Sequence, residues 1–270
     1  MPFTLSHAAA ALPFRKLKPI WPALVIGTFA PDFQYFITIS DEDRSGHHFP
    51  DVLLITLPVA LLVLWVFEWI VKGPMIELLP SGLQRRLHAK AKPLSFWGWK
   101  RFGSIVLWIA VGIATHVLWD SFTHFNTLIT AHWRMFSHPV PLPFHRPVML
   151  VKLLQHMSTL LGLLALAAWL AAWYRRTAPG PNGALREFSP FVKATVLLTM
   201  ITIALAAGYP YALYTLASFE VTITTLSLVV TTFEASTLIF CVQVLIYGLV
   251  LTIGARVRRL PAAQLDEPMS

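Results

Sequence analysis

Residues 52–71 read VLLITLPVALLVLWVFEWIV, a run broken by a single charge, Glu68. A helix rises about 1.5 Å per residue and the hydrocarbon core of a bilayer is about 30 Å thick, so about 20 apolar residues make one crossing. Working outward from this run, comparable stretches occupy 103–123, 153–174, 191–217 and 222–255. They predict five spans, the last two long enough to tilt. Pro210 is expected to kink or end the fourth. Glu68 sits near one end of its run, where a side chain can snorkel to the interface. The predicted fold class is an all-α, polytopic transmembrane helix bundle forming one integral-membrane domain.

Composition agrees. Of 270 residues, 56% are hydrophobic and 13% charged, against about 25% charged in soluble domains. The net charge of +8 would raise nucleic acid as a partner in a soluble protein. Here the basic residues sit in short loops and form no stripe with interleaved aromatics, so nucleic acid is not expected and membrane lipids are. The lone Cys241 lies inside an apolar run and excludes both an internal disulfide and a CxxC zinc pair. The opening MPFTLSHAAAALPF has no basic region before its apolar stretch, so no signal peptide is expected.

Loop charges predict orientation. Lys72, Arg85, Arg86, Lys90, Lys92, Lys100 and Arg101 fall in a basic loop, 72–101. Arg175, Arg176, Arg186 and Lys193 follow the third span, and Arg256, Arg258 and Arg259 the fifth. All three regions are expected in the cytoplasm of a bacterial inner-membrane protein, with the C-terminus on that side and residues 261–270 as a disordered tail. Asp41, Glu42 and Asp43, and a histidine-rich loop over 124–152, would then lie outside. Trp21, Trp65, Trp69, Trp97, Trp99, Trp169 and Trp173 sit near span ends, as an aromatic belt requires.

The N-terminal region, 1–39, permits two readings. Residues 4–14 and 20–39 are apolar, with Arg15, Lys16 and Lys18 between them. They make either a helical hairpin with a cytoplasmic turn, or a surface helix followed by a sixth span.

Ionisable residues inside such a chain are costly and point to function. His116, Asp120 and His124, in THVLWDSFTHF, are spaced i, i+4, i+8. Each step of four advances about 40° around a helix, so all three share one stripe about 12 Å long. The two histidines are too far apart to grip one ion, but Asp120 can reach toward either, and such a carboxylate could bridge two metals about 3.5–4 Å apart. Asp32, in GTFAPDFQYF, and His116 both fall about 18–20 Å above the inner surface at 1.5 Å per residue, so they can meet. Asp32 could instead cap the turn after Pro31. His47 and His48 precede the first span near the outer surface, and one of them could join. His7 reaches Asp32 only in the hairpin reading. His132, His138, His145, Gln155 and His156 belong to the outer loop or its edge, and Glu234 lies mid-membrane in the fifth span. No HExxH, P-loop or GxSxG occurs.

The segments MPFTLSHAAAALP, APDFQYF, GHHFPD and HVLWDSFTH resemble the domain-of-unknown-function family 4184, a group of bacterial membrane proteins. More distantly, the order of polar residues is similar to the YdjM-type membrane-bound metal-dependent hydrolases and to the zinc-dependent phospholipases C. That likeness implies His7, Asp32, His47 or His48, His116, Asp120 and His124 as metal ligands. The soluble enzymes' late His-x-x-x-Glu has no counterpart here, so one or two metals are expected rather than three.

Three function classes follow. The first is a membrane-embedded hydrolase using a divalent metal, zinc by its His/Asp ligands, on a lipid phosphoester. The second is a transporter or proton pathway through Asp32, His116, Asp120 and Glu234. The third is a membrane scaffold with structural histidines.

Overall fold

The computed structural model describes residues 4–33, 50, 52–127, 129–141, 147–181, 186–218 and 224–257. After an N-terminal 3-10 arm, Thr4–Leu17, come α1 (Trp21–Phe29), α2 (Leu54–Leu78), α3 (Ser81–Leu87), α4 (Trp99–Thr123), α5 (Leu150–Arg176), α6 (Pro190–Ser218) and α7 (Thr225–Val257). Five of these, α2 and α4–α7, are long and apolar enough to cross a membrane. Among the described residues the only strands are two-residue pieces, Pro139–Val140 paired with Val148–Met149, in the loop between α4 and α5.

The five predicted apolar runs become these five helices, with longer ends. α2 continues to Leu78, past the expected end at Val71, so the basic loop begins later and contains α3. Pro210 does not end α6, which runs on to Ser218. Neighbouring helices can re-satisfy backbone groups that a proline frees.

The chain divides into two compact units, and the division falls inside α2 between Trp65 and Val66. In the first unit, residues 1–65 and 95–177, the arm folds back on α1. Arg15 and Lys16 end the arm, and Lys18 makes the turn with φ 50°. Thr4 thereby lies against Asp32. α1 opens with Pro22 in its first turn, where a missing N–H costs nothing. It then packs on α4 at glycines. A methyl group on Gly112 would stand 2.7 Å from the Gly27 Cα, so the two backbones touch and only hydrogen fits. Leu24, Ile105 and Ile109 are fully buried beside this crossing. The arm also meets α5 at a glycine, because a methyl on Gly162 would stand 2.9 Å from the Ser6 carbonyl oxygen.

The second unit, residues 66–94 and 178–270, pairs α6 with α7, where Gly208 packs on Ser236. Lys193 is buried rather than solvated: its ammonium donates to Leu79 O at 2.7 Å and to Gln84 Oε1 at 2.8 Å. Gln84 in turn donates to Arg186 O at 2.7 Å. Glu68 does not snorkel. It is 2% exposed, pairs with Lys72, and accepts from the Leu94 N–H at 2.7 Å.

Candidate metal centre

The buried stripe of α4 changes character along its length. Ile105, Ile109 and Ile113 line its lower part, and His116 and Asp120 continue the same face. Because Gly27 and Gly112 let α1 and α4 touch, the next turn of α4 comes close to the residue after Gly27. His116 Nδ1 therefore reaches the Thr28 carbonyl at 2.8 Å. A carbonyl can only accept, so Nδ1 carries a proton and, in the neutral ring, Nε2 keeps its lone pair. That is the tautomer and support of a ligating histidine.

His116 Nε2 faces two carboxylates, Asp120 Oδ2 at 3.1 Å and Asp32 Oδ1 at 3.4 Å. The other oxygen of Asp32 accepts from the Thr4 hydroxyl at 2.7 Å. The other oxygen of Asp120 faces His7 Nε2 at 3.4 Å and His124 Nδ1 at 3.5 Å. Asp32, His7, His116 and Asp120 are all buried. The helix ends at Thr123, and His124 is extended, so it leaves the helical stripe that its spacing predicts yet still meets Asp120. The His7 ring stacks on His116 with centroids 4.0 Å apart and planes 24° from parallel, and packs edge-on against Trp119. His7 Nδ1 is buried with no hydrogen-bond partner among the described residues.

The arm and its turn lie outside the five apolar helices. Burial first, and the neighbouring His116 second, lower His7 from the ordinary histidine range to about 4, leaving the ring neutral. For Asp32, burial works upward, but with the His116 ring protonated, as it is when no metal occupies Nε2, its hydrogen bond and charge, with the Thr4 hydroxyl, outweigh burial and hold the carboxyl below its usual value.

His7, His116 and Asp120 present ligand atoms within 4.8 Å of one another and could hold a metal. The spacings fit that use. An ion 2.0–2.1 Å from each tetrahedral ligand implies ligand-to-ligand edges of about 3.3 Å. A charge-assisted N–H···O bond is shorter, about 2.7–2.9 Å. The four histidine–carboxylate separations, 3.1 to 3.5 Å, sit at the first value.

Of the residues singled out in the sequence, Asp32, His116, Asp120, His124 and His7 come together. His47 and His48 lie outside the described residues, as does His145. His132, His138 and His156 are exposed, and Glu234 belongs to the second unit. Thr4 and Thr28 were not legible: one acts through a hydroxyl 28 residues from its partner, the other through a backbone carbonyl.

A family model described as a domain of unknown function, DUF4184, matches residues 1–253, nearly the whole chain. The protein belongs to that family. No curated protein and no solved structure matches it. The chemistry of this DUF4184 protein must therefore be argued from the centre itself.

Proposed function

We propose that this DUF4184 protein is a membrane-embedded, metal-dependent hydrolase whose centre would hold divalent ions through Asp32, His7, His116, Asp120 and His124. The observation that carries this reading is the disposition of Asp120, with one oxygen toward His116 and the other toward His7 and His124. The stacking of the two rings, with centroids 4.0 Å apart, favours a separate ion for each histidine, although one ion on His7, His116 and Asp120 also fits the ligand spacing. Asp32 Oδ1, His116 Nε2 and Asp120 Oδ2 would face one ion. His7 Nε2, His124 Nδ1 and Asp120 Oδ1 would face the other.

Zinc suits this His/Asp donor set, and when bound it would lower the pKa of a coordinated water to about 7 and polarise a phosphoryl or ester oxygen. The chain's own part is placement. Thr28 orients His116, Thr4 orients Asp32, and the partly exposed His124 marks the side from which substrate enters. That side is the loop end of α4, so a lipid phosphoester at the membrane–water boundary is the substrate class. The excess of basic residues in the other loops supports a reading in which this end lies outside a bacterial inner membrane and the C-terminus in the cytoplasm.

The test is turnover in zinc-loaded lipid nanodiscs, with phosphatidyl esters and soluble phosphoesters as substrates. Cleavage that chelator stops and zinc restores supports the reading. A protein that holds its metal and cleaves none of these esters contradicts it.

A further inference from the structure

Between Asp120 and Glu187 the chain contains no acidic residue. The loop from α4 to α5 nonetheless carries Arg134 and Arg146, and the first turn of α5 carries Lys152. One apolar helix, α4, separates this loop from the basic residues up to Arg101, and another, α5, separates it from Arg175 and Arg176. If each crosses once, these basic residues lie on the face that the positive-inside bias depletes. Topology then gives no reason for them.

Lys152 is also held in place. Its Nζ donates to Gln155 Oε1 at 3.1 Å, and Gln155 is 2% exposed. The same ammonium stands 5.8 Å from the centroid of Phe125, the residue after His124. No carboxylate among the described residues lies in ion-pair range of it. An exposed ammonium is thus tethered against Phe125, the neighbour of His124 in the chain, with no counter-charge among the described residues.

We propose that Lys152 recognises the anionic oxygens of a phosphate group docking on the metal centre, with Gln155 as the residue that positions it. This rests on the metal-centre reading above. A lysine does this as a point charge. Its place against Phe125, one residue after His124, would let it neutralise a phosphate oxygen that faces away from the metals.

The experiment compares the parent with Lys152→Met and Lys152→Arg in zwitterionic nanodiscs, each loaded with zinc and its metal counted. One arm titrates inorganic phosphate by calorimetry. The other dopes the discs with phosphatidate and reads the thermal shift. Lys152 is exposed, so all three proteins should fold and hold equal metal. A charged hydrogen bond supports about tenfold or more in affinity, so Lys152→Met should bind the recognised probe at least about tenfold more weakly and Lys152→Arg should largely retain it. The arm showing the loss identifies free phosphate or lipid headgroup as the source. Equal binding by Lys152→Met in both arms overturns the proposal. So does a metal-loaded parent that takes up neither probe, with the metal centre left standing. A parent without metal overturns both.

Discussion

Gly27 of α1 and Gly112 of α4 lie in backbone contact, with a methyl on Gly112 falling 2.7 Å from the Gly27 Cα. One turn further along α4, His116 meets the carbonyl of Thr28, the residue after Gly27. The crossing thus sets the distance between α4, which carries His116 and Asp120, and the end of α1, which the turn bearing Asp32 follows. Gly112→Ala should force the helices apart, costing about 1–3 kcal/mol as overpacking does. Its thermal midpoint in detergent should fall and its metal content with it. An unchanged midpoint would show that the crossing yields.

Thr4 holds Asp32 through its hydroxyl, which donates to the carboxylate oxygen Oδ2. Outer contacts of this kind are worth about 10–100-fold in metal affinity. Thr4→Val keeps the shape and removes the donor. Zinc affinity by competition with a chelator dye should drop at least about tenfold while the melting curve stays put.

Acid should destabilise the metal-free protein through His7. Its folded pKa is about 4, below the 6.5 of the free side chain. Below about pH 6.5 the unfolded chain therefore binds the proton first, so stability is whole above that value and is lost as pH falls toward about 4. Melting curves across this range should show a slope that His7→Phe flattens. An equal slope in both proteins would assign the acid sensitivity to other groups.

Glu234 separates the hydrolase from the transport reading. It lies on α7 in the second unit, whereas Asp32, His116 and Asp120 belong to the first. Glu234→Gln should leave metal content and turnover unchanged. Loss of cation flux in proteoliposomes, with metal retained, would favour a transport pathway.

The helical bundle was legible because each crossing demands about 20 apolar residues, and VLLITLPVALLVLWVFEWIV and its four counterparts stand out without knowledge of their neighbours. His116 and Asp120 were legible for a related reason, since ionisable groups four apart on an apolar helix are rare. His7 could be placed only by knowing that the arm folds back. The roles of Thr4, Thr28, Gly27 and Gly162 depend on which backbones touch, and no local pattern encodes that. Glu68 and Lys193 mislead in the same way. Read singly they are interfacial charges, and their buried partners, Leu94, Gln84 and Leu79, lie in segments distant in sequence.

Metal content tests the central claim most directly. The protein would be purified in mild detergent without chelator and its bound metals counted by native mass spectrometry, beside a folded His116→Ala, Asp120→Ala variant. Two zinc ions in the parent, lost in the variant at equal folded yield, is the expected result. No metal in either protein after zinc is supplied would contradict a metal centre built on Asp120.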